Sequence, residues 1–153
     1  MDWSQIAPDF EHDGSLRDVY ILDTSLDDWA SVWAALLVDP NAMSFTVDGE
    51  ARTPPLDVAE AFRLRPDHAI CASYALGKQR LNCHFFEKEE VEFDLDPRDV
   101  DSLAEADRLT QFLTVLGRAT SKEVRLTPEN EPDAVIARYI PATGQVVWTP
   151  VAA

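Results

Sequence analysis

The 153-residue sequence predicts an α+β fold. Its main layer is a largely antiparallel sheet built from hairpins, with two long amphipathic helices, about 25–38 and 103–118, packed on one face. Two observations predict this. The hydrophobic period switches between 3.6 and 2 along the chain. The extended segments come in pairs joined by short turns instead of alternating with helices. The expected order is β-α-ββ-α-βββ-α-βββ, within a single domain spanning 1–153.

The first strand is RDVYILDT, 17 to 24. Its unbroken apolar centre, Val19 to Leu22, reads as buried. SLDDWASVWAALLVDP follows. Ser25 with Asp28 three residues on is a helix N-cap signal, and Asp27 and Asp28 suit the positive first turn. Leu26, Trp29, Val32, Trp33, Leu36 and Leu37 then share one helical face, and Pro40 stops the helix. Asp48-Gly49 between short extended runs marks a hairpin. LDVAEAFRL, 56 to 64, is a short helix with Val58, Ala59 and Phe62 inward.

From residue 68 the period is two. HAICASYAL and QRLNCHFF flank a Gly77-Lys78 turn, and EVEFDLD alternates acid with apolar residue. Val91, Phe93 and Leu95 face in, whereas Glu90, Glu92, Asp94 and Asp96 face out, as on a half-exposed antiparallel strand. Ser102 with Glu105 is a capping box. It opens the second long helix, whose buried stripe is Leu103, Ala106, Leu109, Phe112, Leu113 and Leu116, closed by Gly117 or shortly after. EVRLT is a strand, and AVIARYI with QVVWT forms the last hairpin.

Composition narrows the function. There are 28 Asp and Glu against 13 Lys and Arg, a formal net charge of −15. Such a surface repels phosphate backbones, so no nucleic-acid partner is expected. A basic protein partner is favoured, with encounter speeded at low salt. The same composition also suits solubility in an acidic proteome. The N-terminal stretch has neither a basic nor an apolar signal region, and no stretch reaches the ~18 apolar residues of a membrane helix. With only two cysteines, a soluble cytoplasmic protein is expected, without a disulfide framework.

Four clusters could carry chemistry. If Gly77-Lys78 is a two-residue turn, Cys71 lies opposite His84 on one face and Cys83 opposite Ala72 on the other. A Cys beside a His could be a nucleophile with its base, although mid-strand cysteines are usually inert core residues. Cys71, Cys83, His84 and His68 lack zinc-ligand spacing. Asp94, Asp96, Asp99 and Asp101 resemble a calcium loop in density, but Asp99 stands where that loop needs glycine; a strand exit and helix-start acids account for them. The fourth cluster is the acidic surface itself. It comprises Glu90, Glu92, Asp94 and Asp96, an N-terminal group including Asp18, and a loop group of Glu129, Glu131 and Asp133. Trp148 near the C-terminus could serve as an interface anchor. No metal or cofactor is expected, and no catalytic or phosphate-loop motif is present.

Three passages, DGSLRDVYILDTSLDDW, LNCHFFEKEEVEFDLDPRDV and VRLTPENEPDAVIARYIPATG, resemble a family of small acidic bacterial proteins of unassigned activity. The resemblance covers nearly the whole chain and implies one intact domain. In type, the chain is similar to immunity proteins of bacterial polymorphic-toxin and contact-dependent systems. That likeness implies a protein that neutralises a cognate toxin by occluding a basic site, with Glu90, Glu92, Asp94, Asp96 and Trp148 as contacts. The alternatives are an enzyme using Cys71 and His84, or a scaffold that self-associates through a sheet edge. Iodoacetamide separates the first of these: a native Cys71 that stays unalkylated at neutral pH counts against the enzyme.

Overall fold

The computed structural model describes residues 1–150. Among them, nine strands form one sheet in the order β3-β2-β4-β5-β6-β1-β7-β8-β9. They are β1 (Arg17–Leu22), β2 (Met43–Val47), β3 (Glu50–Arg52), β4 (Ile70–Leu76), β5 (Gln79–Glu87), β6 (Glu90–Leu95), β7 (Val124–Pro128), β8 (Ala137–Ile140) and β9 (Gln145–Trp148). Neighbouring strands all pair antiparallel. The helices are α1 (Trp3–Ile6), α2 (Leu26–Leu36), α3 (Ala59–Leu64) and α4 (Leu103–Thr120). The fold is α+β, as the sequence predicts. The short N-terminal helix α1 has too few residues to show a period, and sequence reading passes over it.

The predicted hairpins are present, but their arrangement is not sequential. Strand β1 inserts between β6 and β7. Both are antiparallel to β1, so they run parallel to each other on either side of it, and α4 is the crossover that joins two strands running the same way.

One register row shows how the core is built. Phe45, Ala72, Cys83, Phe93, Val19, Leu126, Ala137 and Trp148 stand side by side across eight strands. This row faces α2 and α4, which pack against each other and against the same side of the sheet. Trp29, Val32, Trp33 and Leu36 of α2 are buried, as are Leu109, Phe112, Leu113 and Leu116 of α4. The cap of α2 is the reciprocal box expected. Ser25 accepts from the Asp28 amide, and the Asp28 carboxylate accepts from the Ser25 amide. Such a cap contributes about 1 kcal/mol.

Helix α4 departs from expectation at its N-terminus. Ser102 accepts from the Glu105 amide at 3.3 Å, but the box is not reciprocal. The Glu105 carboxylate instead accepts from Gln79 Nε2 at 3.0 Å and pairs with Arg108. At the other end the helix closes shortly after Gly117: it runs on to Thr120 and ends at Ser121, whose φ is +58°. Gly117 is a notch in the helix wall. A β-carbon there would lie 2.1 Å from Tyr139 Cδ1 of β8, far inside van der Waals contact.

The N-terminal segment is held down by Arg17, which is only 4% exposed. Its guanidinium donates to the backbone carbonyls of Asp9, Glu11 and Leu16 and to Ser15 Oγ. A buried charge needs this many acceptors to offset its lost hydration.

Gly117→Ala is expected to lower unfolding stability by about 1–3 kcal/mol through overpacking, outweighing alanine's better helix propensity. Urea denaturation measures this. The penalty shrinks when Tyr139 is also replaced by leucine, since the clash is with the ring.

Candidate functional site

The side of the sheet away from the helices is not a solvated row of acids. Ser44, Ser73, Asn82, Asp94, Asp18 and Thr127 form one transverse row across β2, β4, β5, β6, β1 and β7. Beside it, His84, Glu92, Tyr20 and Arg125 form the next. Strict alternation puts these polar groups on the helix-free face while Val19, Ile21, Val91 and Phe93 fill the core.

The rows are wired together. Ser73 Oγ donates to Asn82 Oδ1 at 2.9 Å, and Asn82 Nδ2 donates to Asp94 Oδ1 at 2.9 Å. The other Asp94 oxygen is bonded to His84 Nε2. On β1, Asp18 Oδ2 accepts from Tyr20 Oη at 2.8 Å and from the Asn130 amide at 2.8 Å. The 129–130 turn therefore folds over the strand ends, with Asn130 at φ +60°, and Glu129 Oε1 accepts from the Leu16 amide at 2.7 Å. Asp18, Glu92, Asp94, Glu129, His84 and Phe86 line a cavity of about 220 Å³.

Three of the carboxyls of this face have raised pKa values. Asp18 and Glu92 are 3% and 9% exposed. For both, burial is the main cause and neighbouring carboxylates add to it, while hydrogen bonds from Asn130 and Tyr20 to Asp18, and from Tyr20 to Glu92, pull the other way. Glu90, half-buried at the end of β6, is raised by burial and then by Glu92 and Glu87. His84 is also raised, chiefly by its hydrogen bond to Asp94. Tyr20, between Asp18 and Glu92, is held firmly as the neutral phenol by burial and by its bond to Asp18. Among the described residues, the site is a negative cavity whose lining includes one basic side chain, His84.

The five residues singled out from sequence occupy different places. Glu90, Glu92 and Asp94 share the helix-free face. Asp96 lies beyond the strand, where its carboxylate caps the 97–99 turn and pairs with Arg98, which lowers its pKa to about 2. Trp148 is on the other side of the sheet. Its indole donates to Thr110 Oγ1 of α4 at 3.0 Å, and its ring meets Phe10 at 6.1 Å. The Gly77 hairpin has the expected register, with Leu76 opposite Gln79 and Ala72 opposite Cys83. Cys83 is buried, which pushes its thiol pKa up strongly. Cys71 is exposed. Among the described residues no hydrogen bond joins Cys71 to His84, whose Nε2 is held by Asp94.

No protein-family model, curated protein or solved structure gives a significant match to this chain. The reading of the site therefore rests on its own geometry.

The zinc candidates are dispersed. His68 Nδ1 is paired with Asp48 at 2.6 Å, and among the described residues no three His, Cys, Asp or Glu side chains are grouped to hold a metal ion. Among the described residues, no helix is long and apolar enough to cross a membrane.

Asp18, Tyr20 and Glu129 are functional candidates that sequence reading did not place together. Asp18 and Tyr20 do alternate with Val19 and Ile21. That period-two signal was hidden because tyrosine counts as apolar. The Glu129 contact spans 113 residues and leaves no local trace.

The raised pKa values set opposite pH trends. A carboxyl with raised folded pKa destabilises the fold when ionised. Glu92→Gln is expected to stabilise the protein at neutral pH, with the gain fading as pH falls through the raised value and gone near the ordinary 4.5. His84 works the other way. Its pair with Asp94 contributes fully below 6.5 and is lost as pH rises through the raised value. Urea melts of His84→Gln should show a larger loss at about pH 6 than at about pH 9. A pH-independent loss would contradict the pairing.

Proposed function

We propose that this protein is an acidic binding protein that docks a basic protein surface on the helix-free face of its sheet. In this reading it acts as a cytoplasmic immunity protein, covering the basic site of a cognate bacterial toxin domain. The observation that carries the docking face is the convergence of Asp18, Glu92, Asp94 and Glu129 on one cavity, in a chain of net charge −15.

Physical chemistry supports it in three ways. The buried carboxyls are held close to one another against their mutual repulsion, and a lysine or arginine entering the cavity relieves that repulsion. The face belongs to central strands of the sheet, so little ordering entropy is lost on binding. The overall charge steers a basic partner toward encounter. Glu90, Glu92 and Asp94 remain the proposed contacts, now with Asp18 and Glu129. Asp96 and Trp148 are committed to contacts within the fold. The enzyme alternative built on Cys71 and His84 gains no support, since among the described residues no hydrogen bond joins the two.

The test starts with a partner recovered from native cells and purified. The double variant Glu90→Gln, Glu92→Gln should weaken its binding by about tenfold or more, mainly through slower association, and wild-type affinity should fall with added salt. Unchanged affinity in the variant rejects the docking face. A partner without toxic activity rejects the immunity role while leaving the face standing.

A further inference from the structure

A second cavity, of about 690 Å³, has a different character from the acidic one. It lies where α3 meets the β5–β6 hairpin. Phe62, Phe85 and Phe86 supply its apolar walls, and Arg63, Arg65 and Lys88 supply its cations. We propose that it is a binding site for a small organic anion with a flat apolar body, such as an aryl carboxylate.

Four independent features point there. First, the strand is built irregularly at this place. The β5–β6 register shifts between His84 and Glu87. Phe85 is buried, and Phe86, next in the alternation of β5, stays 57% exposed, though a phenylalanine ordinarily hides most of its ring.

Second, the cations are uncommitted. In a chain with 28 acids and 13 bases, most cations find a carboxylate. Arg65 and Lys88 have no ion-pair partner among the described residues. They lie over aromatic rings instead. The Arg65 guanidinium carbon is 5.4 Å from the Phe86 centroid, and Lys88 Nζ is 5.9 Å from the Phe62 centroid. A cation over a ring keeps its donors free for an incoming anion. Glu87 and Glu89 also line the mouth, yet neither pairs with these cations.

Third, the walls are preorganised. Phe62 and Phe85 meet edge to face at 5.6 Å and both pack on Trp29, at 5.0 and 5.4 Å. The Lys88–Glu89 turn is pinned from below, since Thr24 donates to the carbonyls of both residues. Fourth, the volume falls in the range of small-ligand sites, with convergent charges at one end and rings at the other.

The chemistry of the occupant follows. A carboxylate or equivalent anion meets Arg65 and Lys88, with Arg63 at the rim already shared with Glu60. A flat apolar body lies against Phe62, Phe85 and the exposed part of Phe86, whose ring is stacked on His84 on one side. The rest of the surface of a chain whose net charge is −15 turns such anions away, so the pocket is selective by contrast. Phe86 also borders the acidic cavity, which makes the two sites neighbours.

The test uses 2-naphthoate as probe, followed by amide NMR on the full chain. Saturable shifts confined to residues 59–66 and 85–89, with a dissociation constant of about 1 mM or tighter, are expected. The neutral isostere 2-naphthylmethanol should bind about tenfold more weakly, and acetate, which lacks the body, should not saturate. Arg65→Gln and Lys88→Gln, both at exposed positions, should each weaken naphthoate severalfold. Arg118→Gln, an exposed cation on α4, should not. Equal binding of naphthoate and the alcohol, no saturation by roughly 10 mM, or undiminished binding by both cation variants would overturn the site. The outcome is independent of whether a basic partner docks on the acidic face.

Discussion

Strand β1 pairs over its whole length with β6 and over four residues with β7, and the rest of the architecture depends on that insertion. Remove it and the sheet separates into a five-strand part, β3 to β6, and a three-strand part, β7 to β9. The strand serves both faces at once. Val19 and Ile21 complete the apolar core under the helices, while Asp18 and Tyr20 complete the polar network on the other side. A one-residue slip would put Asp18 under α4 and Val19 against Asp94, so burial on both faces fixes the register. Arg17 adds a lock at one end by gathering the N-terminal carbonyls.

The two faces of this sheet solve opposite problems. On the helix side the row from Phe45 to Trp148 is filled by rings and methyl groups, and small residues such as Ala72 and Ala137 make room for large ones. On the open side, carboxylates that would cost energy if merely buried are each given donors. Asp94 has Asn82 and His84, and Asp18 has Tyr20 and the Asn130 amide. Glu92 is the least well served, and its raised pKa reflects that. Beside this negative cavity, the alternation of β5 leaves Phe86 outward, and Arg65 and Lys88 lie over rings. The two proposed sites thus lie next to each other at one hairpin.

Much of the fold was legible because its signals are local. Ser25, Asp28 and the spacing of Trp29, Val32, Trp33 and Leu36 define α2 without any knowledge of the rest. Asp48-Gly49 and Gly77 sit at turns with positive φ, as their chemistry requires. The order of strands was not legible, since the pairing of β1 is decided by residues far along the chain. The packing role of Gly117 was hidden for a related reason. Its lack of a side chain answers to Tyr139, a neighbour in space, whereas helix-end rules consider only neighbours in sequence. The acids of β6 were placed on the correct face by alternation. Their burial could not be, because Tyr20 and the 129–130 turn that cover them come from elsewhere.

The position of β1 also bears on how the molecule assembles. Val19 meets Phe93 and Leu126, which are 74 and 107 residues further on. During synthesis the strand therefore emerges long before either partner exists. Its apolar row must wait until β7 has left the ribosome, and closure of such distant pairs is slow. The two flanking hairpin units can form early from nearby contacts, but only joining them through β1 completes either face. The acidic cavity, which draws Asp18, Glu92 and Glu129 from three separate parts of the chain, is thus a late product of folding, and a chain that displays it has its central strand in place.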